Sequence, residues 1–251
     1  GVATTLQSKG FAVITVDLRY HGESKGDGPA PVASGSQGKK GKKDIGLPLK
    51  QGDFQAMVQL DMEAVKKFIF DEHQAGRLNM NKLGIAGPEM GASIAVAYTV
   101  LDWAKEPYED GQPGFQTPRG QDVRALVLIS PEETYHASGI KMTQLLPAIK
   151  DPAKNISVLV CSGNDPKESA QATKIFDMVN PPLTGNNKKE RLNGDHMLLK
   201  VFPVDPVAQL GVHAGWDSSP LLWSIAAPNG LPFVVLSRKH PGVGYTRGRL
   251  H

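Results

Sequence analysis

Apolar residues occur in short, nearly unbroken runs along the first two thirds of the chain. Four of these runs are FAVITVDL (11–18), KLGIAG (82–87), RALVLIS (124–130) and ISVLVCSG (156–163), and the first of them is rich in β-branched residues. Continuous runs of this kind are typical of strands buried on both faces of a parallel sheet. The pattern therefore predicts four buried strands, and a fifth run, PFVVLSR (232–238), predicts a strand near the C-terminus.

Segments with apolar residues at helical spacing separate the first four runs. The longest covers 53–76, where Asp53 is a candidate capping residue and Gly76 a stop signal. Further helices are predicted over 90–104, 142–150 and 169–179, and a short one over HMLLKVF at 196–202. Strands alternating with helices predict an α/β fold, a mostly parallel sheet flanked by helices on both faces.

The pattern changes near residue 203, after which glycine and proline are frequent. The sequence therefore predicts an α/β domain over 1–203 and a Gly/Pro-rich C-terminal extension over 204–251 that packs on it. No apolar run reaches the ~18 to 20 residues that a membrane span needs, so none is predicted.

Charge and composition exclude several classes of partner and cofactor, and they do not assign a cellular compartment. The net charge is +3, and the lysines of 37–44 lie among glycines without the interleaved aromatic residues that stack on bases, so nucleic-acid binding is not predicted. The single cysteine, Cys161, excludes an internal disulfide and a cysteine-based zinc cluster. The histidines show no metal-ligand spacing, and no glycine-rich phosphate loop is present, so neither a metal nor another cofactor is expected.

One turn carries candidate chemistry. In GIAGPEMGAS (84–93), a predicted strand meets a G-x-E-x-G turn that opens a predicted helix. A turn of the form G-x-S-x-G normally presents a nucleophilic serine at the end of a strand. Here the central position is Glu89.

Three stretches in order resemble the α/β-hydrolase superfamily, in its dienelactone-hydrolase and serine-aminopeptidase-like branch. They are GFAVITVDLRYHGES (10–24), the turn around Glu89, and ISVLVCSGNDP (156–166) followed by NGDHMLL (193–199). The resemblance covers about residues 1 to 203. It implies an α/β-hydrolase-like sheet whose first strands are missing here, so that an upstream segment or another subunit would cover the sheet edge.

The resemblance also implies roles for individual residues. The triad-equivalent positions are Glu89, Asp165 and His196, and the backbone N–H of Met90 stands where the family has its oxyanion donor. A structural role in the loop after the first strand is implied for Asp17, Arg19 and His21. From the residues alone, Asp165 is equally a helix-start residue and His196 equally a helix cap.

Glu89 changes the expected chemistry. It has no hydroxyl group for a histidine to deprotonate, and its carboxylate is already anionic at pH 7. The sequence therefore favours a catalytically inactive protein with a binding or structural role. Its pocket would either bind a small molecule or be filled by Glu89, paired with His196 or Arg19. The alternative is a hydrolase that acts on an epoxide, haloalkane or ester-like substrate, with Glu89 as nucleophile or base beside His196 and Asp165.

Overall fold

The computed structural model of the chain describes residues 6–7, 11–21, 24, 49–108, 119–135, 139–180, 197–201 and 233–239, the last two ranges as backbone. The strands are β1 Phe11–Val16, β2 Leu78–Pro88, β3 Val123–Ile129, β4 Thr134–Tyr135, β5 Ile140–Lys141, β6 Ser157–Ser162, β7 Met197–Val201 and β8 Phe233–Lys239. Six of them form one sheet in the order β1–β8–β2–β3–β6–β7, and β4 and β5 form a separate two-stranded sheet.

Helices connect these strands. They are α1 Gln51–Ala56, a π-helical turn Met57–Asp61, α2 Met62–Gln74, α3 Met90–Trp103, α4 Met142–Ile149, a 3₁₀ turn Pro152–Lys154 and α5 Pro166–Val179. The prediction of one long helix over 53–76 is therefore only partly right. The helix begins earlier, at Gln51, and Asp53 accepts the backbone N–H of Lys50 at 2.7 Å from the first turn.

The larger part of the sheet is parallel. Strands β2, β3, β6 and β7 run in the same direction, and helices α3 and α5 each pack against two of them. The predicted α/β arrangement is thus confirmed. Side chains from the strands and helices form one continuous core, whose largest fully buried members include Tyr98, Phe54 and Met80.

Strand β8 confirms the strand predicted near the C-terminus and occupies an unexpected place. It lies between β1 and β2 and runs antiparallel to both. Because both neighbours are antiparallel to β8, β1 points in the same direction as β2. The carboxyl ends of β1, β2, β3 and β6 therefore meet at one edge of the sheet.

The short helix predicted over 196–202 is wrong within the described residues. Met197–Val201 is strand β7, which pairs in parallel with Val158–Ser162 of β6. A short segment with four apolar residues in five fits either a helix or a strand by periodicity, and here the neighbouring strand decides its conformation.

A group of charged side chains is buried at the edge of the sheet that holds the amino ends of the parallel strands, where β3 begins. The Lys66 ammonium group donates to the Asp102 carboxylate and to the carbonyl oxygen of Arg119, and it forms an ion pair with Asp122 Oδ2 at 3.0 Å. Asp102 Oδ2 in turn accepts the backbone N–H groups of Asp122 and Val123, at 2.8 and 3.1 Å. This Lys66 cluster ties α2, the end of α3 and the start of β3 together.

Candidate active site

The turn between β2 and α3 has a strained conformation. Glu89 lies there with φ 45° and ψ −114°, a region that costs a residue with a side chain about 1 to 3 kcal/mol. Its backbone N–H donates to the carbonyl oxygen of Ile129 in β3 at 2.8 Å, and its own carbonyl oxygen accepts from Ala92 at 3.0 Å. The sequence prediction of a sharp strand-to-helix turn at Glu89 agrees with this geometry.

Glycine is required two residues before Glu89. A Cβ atom on Gly87 would lie 2.3 Å from both the carbonyl carbon and the oxygen of Gly91, and 2.7 Å from the nitrogen of Ala92. These are backbone atoms of α3, which a side-chain rotation cannot move. The first turn of α3 therefore packs directly on the end of β2, and this close approach fixes the direction of the turn.

The Glu89 side chain is exposed at the sheet edge, and it forms no hydrogen bond that caps α3. Met90, the proposed oxyanion donor, is the first residue of α3, and its side chain is buried. An exposed carboxylate at this edge can accept hydrogen bonds from a ligand or attract a cation.

A second strained residue lies directly beside Glu89. Ser130 follows β3 and has a φ of 48°. The peptide bond that joins it to Ile129 contains the carbonyl oxygen that accepts the Glu89 N–H. The Ser130 hydroxyl donates to Glu168 Oε1 at 2.6 Å, and the same oxygen accepts the Gly163 N–H at 2.7 Å. Glu168 therefore joins the ends of β3 and β6. The sequence predicts Ser130 only as the end of a strand and gives no signal for Glu168, whose partners become neighbours only when β3 and β6 pair.

Asp165 is the N-cap residue of α5. Its side chain accepts the backbone N–H groups of Lys167 and Glu168 at 3.0 and 3.1 Å, and Pro166 occupies the first helical position. The carboxylate is exposed to solvent. These contacts give Asp165 the helix-start role that the sequence left open beside the catalytic one.

The loop after β1 is held by local and long-range contacts. The Arg19 guanidinium group forms a bidentate ion pair with Asp61, with Nη2–Oδ1 at 2.6 Å and Nε–Oδ2 at 3.1 Å. The hydrogen bond to Asp61 raises the pKa of Arg19 above its usual value, because its effect is larger than the opposite effect of burial. The buried His21 donates from Nδ1 to the Arg19 carbonyl oxygen at 2.8 Å, and Ser24 donates to the Asp17 carbonyl oxygen at 2.8 Å.

His196 lies outside the described residues, but the strand that follows it is described. Met197 pairs with Val158, which is level with Leu126, which in turn is level with Ile85 of β2. Glu89 is four residues beyond Ile85, or about 13 Å along the strand, and three strands away, or about 14 Å across the sheet. The Cα atoms of Met197 and Glu89 are therefore separated by roughly 20 Å.

Two buried serine hydroxyls have no hydrogen-bond partner among the residues that the structure describes. They belong to Ser93, one turn into α3, and to Ser162, the last residue of β6. Within the same residues, no group of three histidine, cysteine or acidic side chains is arranged to hold a metal ion. None of the described helices is both long enough and apolar enough to cross a membrane.

Comparison with protein-family models, with curated proteins and with solved structures gives no match for this chain. The resemblance to α/β-hydrolases therefore stays a hypothesis that depends on the three sequence stretches.

Proposed function

We propose that this chain is an α/β-hydrolase-like protein that binds a small molecule at the edge around Glu89 and does not hydrolyse it. The observation that carries the proposal is the conformation of Glu89, a strained turn held by the packing of Gly87 against Gly91. Strain of this kind persists where the surrounding structure enforces it, and it concentrates at functional sites. The turn presents a carboxylate outward in the position where a hydrolase would present its nucleophile.

Two further observations favour binding over hydrolysis. The carboxylate of Asp165 is engaged in capping α5, whereas a triad acid orients a histidine. Met197 lies roughly 20 Å from Glu89 by the strand spacing, and this distance disfavours a catalytic pair built from the start of β7 and the elbow.

Turnover and binding assays on the same proteins test the proposal. The full chain and its Glu89→Gln variant are incubated with activated esters, epoxides and haloalkanes, and neither is expected to turn them over. In a thermal-shift screen of small amines and polar metabolites, we expect ligands that raise the Tm of the wild type but not that of Glu89→Gln.

Glu132→Gln is the matched control, because Glu132 is an exposed glutamate in the loop after β3 and near the same edge. This variant should keep any ligand-induced shift. Hydrolysis that disappears in Glu89→Gln and persists in Glu132→Gln would replace the proposal with the enzyme alternative. Ligand shifts that are equal in all three proteins would place binding elsewhere.

A further inference from the structure

The N-terminal strand is attached to the sheet through the C-terminal one. Every residue of β1 from Phe11 to Val16 pairs with β8, from Arg238 to Phe233, without interruption. Among the described strands, no other strand pairs with β1. The hydrogen-bonded link between β1 and the parallel part of the sheet therefore runs entirely through β8.

The other side of β8 is less regular. Leu78–Asn79 pair with Lys239–Arg238, and the register then shifts before Gly84–Ala86 pair with Leu236–Val234. Residues 80–83 of β2 thus have no partner in the β8 register. The ladder between β8 and β2 is therefore interrupted, whereas that between β1 and β8 is continuous.

The piece beyond this boundary carries part of the candidate site. The turn from Asp17 to His21 follows β1 directly, at the same sheet edge as Glu89. Its Leu18 side chain is fully buried, and Arg19 is paired with Asp61 of the π-helical turn. The position of β1 therefore affects how this turn is placed beside the edge.

We propose that β8 is a conformational latch: β1 and β8 open from the sheet as one unit, and this opening releases the turn from Asp17 to His21. Strands β2, β3, β6 and β7 keep their own parallel pairings during the opening. Local opening in contiguous cooperative units is a general property of native proteins, and the interrupted ladder marks where this unit separates. The proposal concerns the sheet alone and does not depend on what the Glu89 edge binds.

Native-state hydrogen exchange on the unmodified full chain tests the latch. Amide exchange is followed by mass spectrometry at increasing, sub-denaturing concentrations of guanidinium chloride. We expect amides of β1 and β8 to share one opening free energy and one denaturant dependence, and to exchange about tenfold or more faster than those of β3 and β6. Separate openings for β1 and β8, or exchange of β1 only with β3 and β6, would overturn the proposal.

A proline pair provides the second test. Val235→Pro interrupts β8 at a residue that pairs with both Ile14 and Ile85. Leu199→Pro interrupts β7, which is the outermost strand on the side of the sheet away from β1. In Val235→Pro we expect β1 to lose protection while β3 and β6 keep theirs. In Leu199→Pro the protection of β1 should be unchanged. Intact protection of β1 in Val235→Pro, or loss of protection throughout the sheet, would show that β8 is not a latch.

Discussion

Replacing Lys66 by methionine tests how the buried charges hold the fold. The Lys66 side chain is 5 % exposed and that of Asp102 is fully buried, so this ion pair lies in the interior. Removing one partner of a buried ion pair leaves an uncompensated charge and costs about 3 to 5 kcal/mol. Asp122 keeps a second cation, because Arg119 Nη2 lies 2.6 Å from its Oδ1.

The charge left uncompensated in Lys66→Met is therefore chiefly that of the Asp102 carboxylate. Its Oδ2 still accepts two backbone N–H groups, which places the expected loss for Lys66→Met near the lower limit, at about 3 kcal/mol. In a domain of this size that loss corresponds to a fall in Tm of about 6 to 12 °C. Urea unfolding followed by far-UV circular dichroism measures the free energy, and an unchanged m-value verifies that the unfolded state is comparable.

The adjacent lysine is a control for the loss of charge alone. The Lys67 side chain is 75 % exposed and pairs with Asp71 on the surface of α2 at 3.2 Å. Lys67→Met should change stability by no more than about 0.5 kcal/mol. A Lys66→Met variant as stable as Lys67→Met would refute the assigned role of the cluster. The double variant Lys66→Met/Asp102→Asn should be less destabilised than the sum of the single changes, by about 1 kcal/mol or more.

Two further predictions concern the helix α3 and its first turn. Burial raises the pKa of Tyr98 well above its usual value of about 10, so stability should hold below about pH 10 and fall at higher pH. Tyr98→Phe should flatten this fall in Tm while Tyr108→Phe, at an exposed tyrosine, should not, and equal slopes would contradict the argument. Gly87→Ala forces a Cβ against backbone atoms of Gly91 and should cost about 1 to 3 kcal/mol or more in chemical unfolding. Gly52→Ala meets no atom within 4 Å and should be neutral or stabilising, so comparable losses in the two variants would refute the packing argument.

Sequence patterns predicted most strands because each is a local property of the chain. The run FAVITV became β1 and the run VVLSR lies within β8, as continuous β-branched segments usually do. The sequence predicts a helix for the run MLLKV of β7 because its length suits both structures, and only the pairing with β6 distinguishes them. The insertion of β8 between β1 and β2 joins opposite ends of the chain, and no local pattern encodes such a pairing.

The same distinction between local sequence features and long-range pairing applies to the candidate site. The strained turn at Glu89 was visible in the spacing of Gly87 and Gly91, because a close approach of helix and strand needs glycine at a fixed offset. The bond from Ser130 to Glu168 was not visible, since it depends on the ends of β3 and β6 becoming neighbours.

The two strained residues at the sheet edge differ in what their side chains contribute. Glycine would relieve the positive φ angle at Glu89 and at Ser130, so each side chain is kept at a cost of about 1 to 3 kcal/mol. For Ser130 the compensation is internal, because its hydroxyl group is buried and donates to Glu168. The Glu89 side chain is exposed at the same edge, and the proposed binding role gives its carboxylate a contribution there.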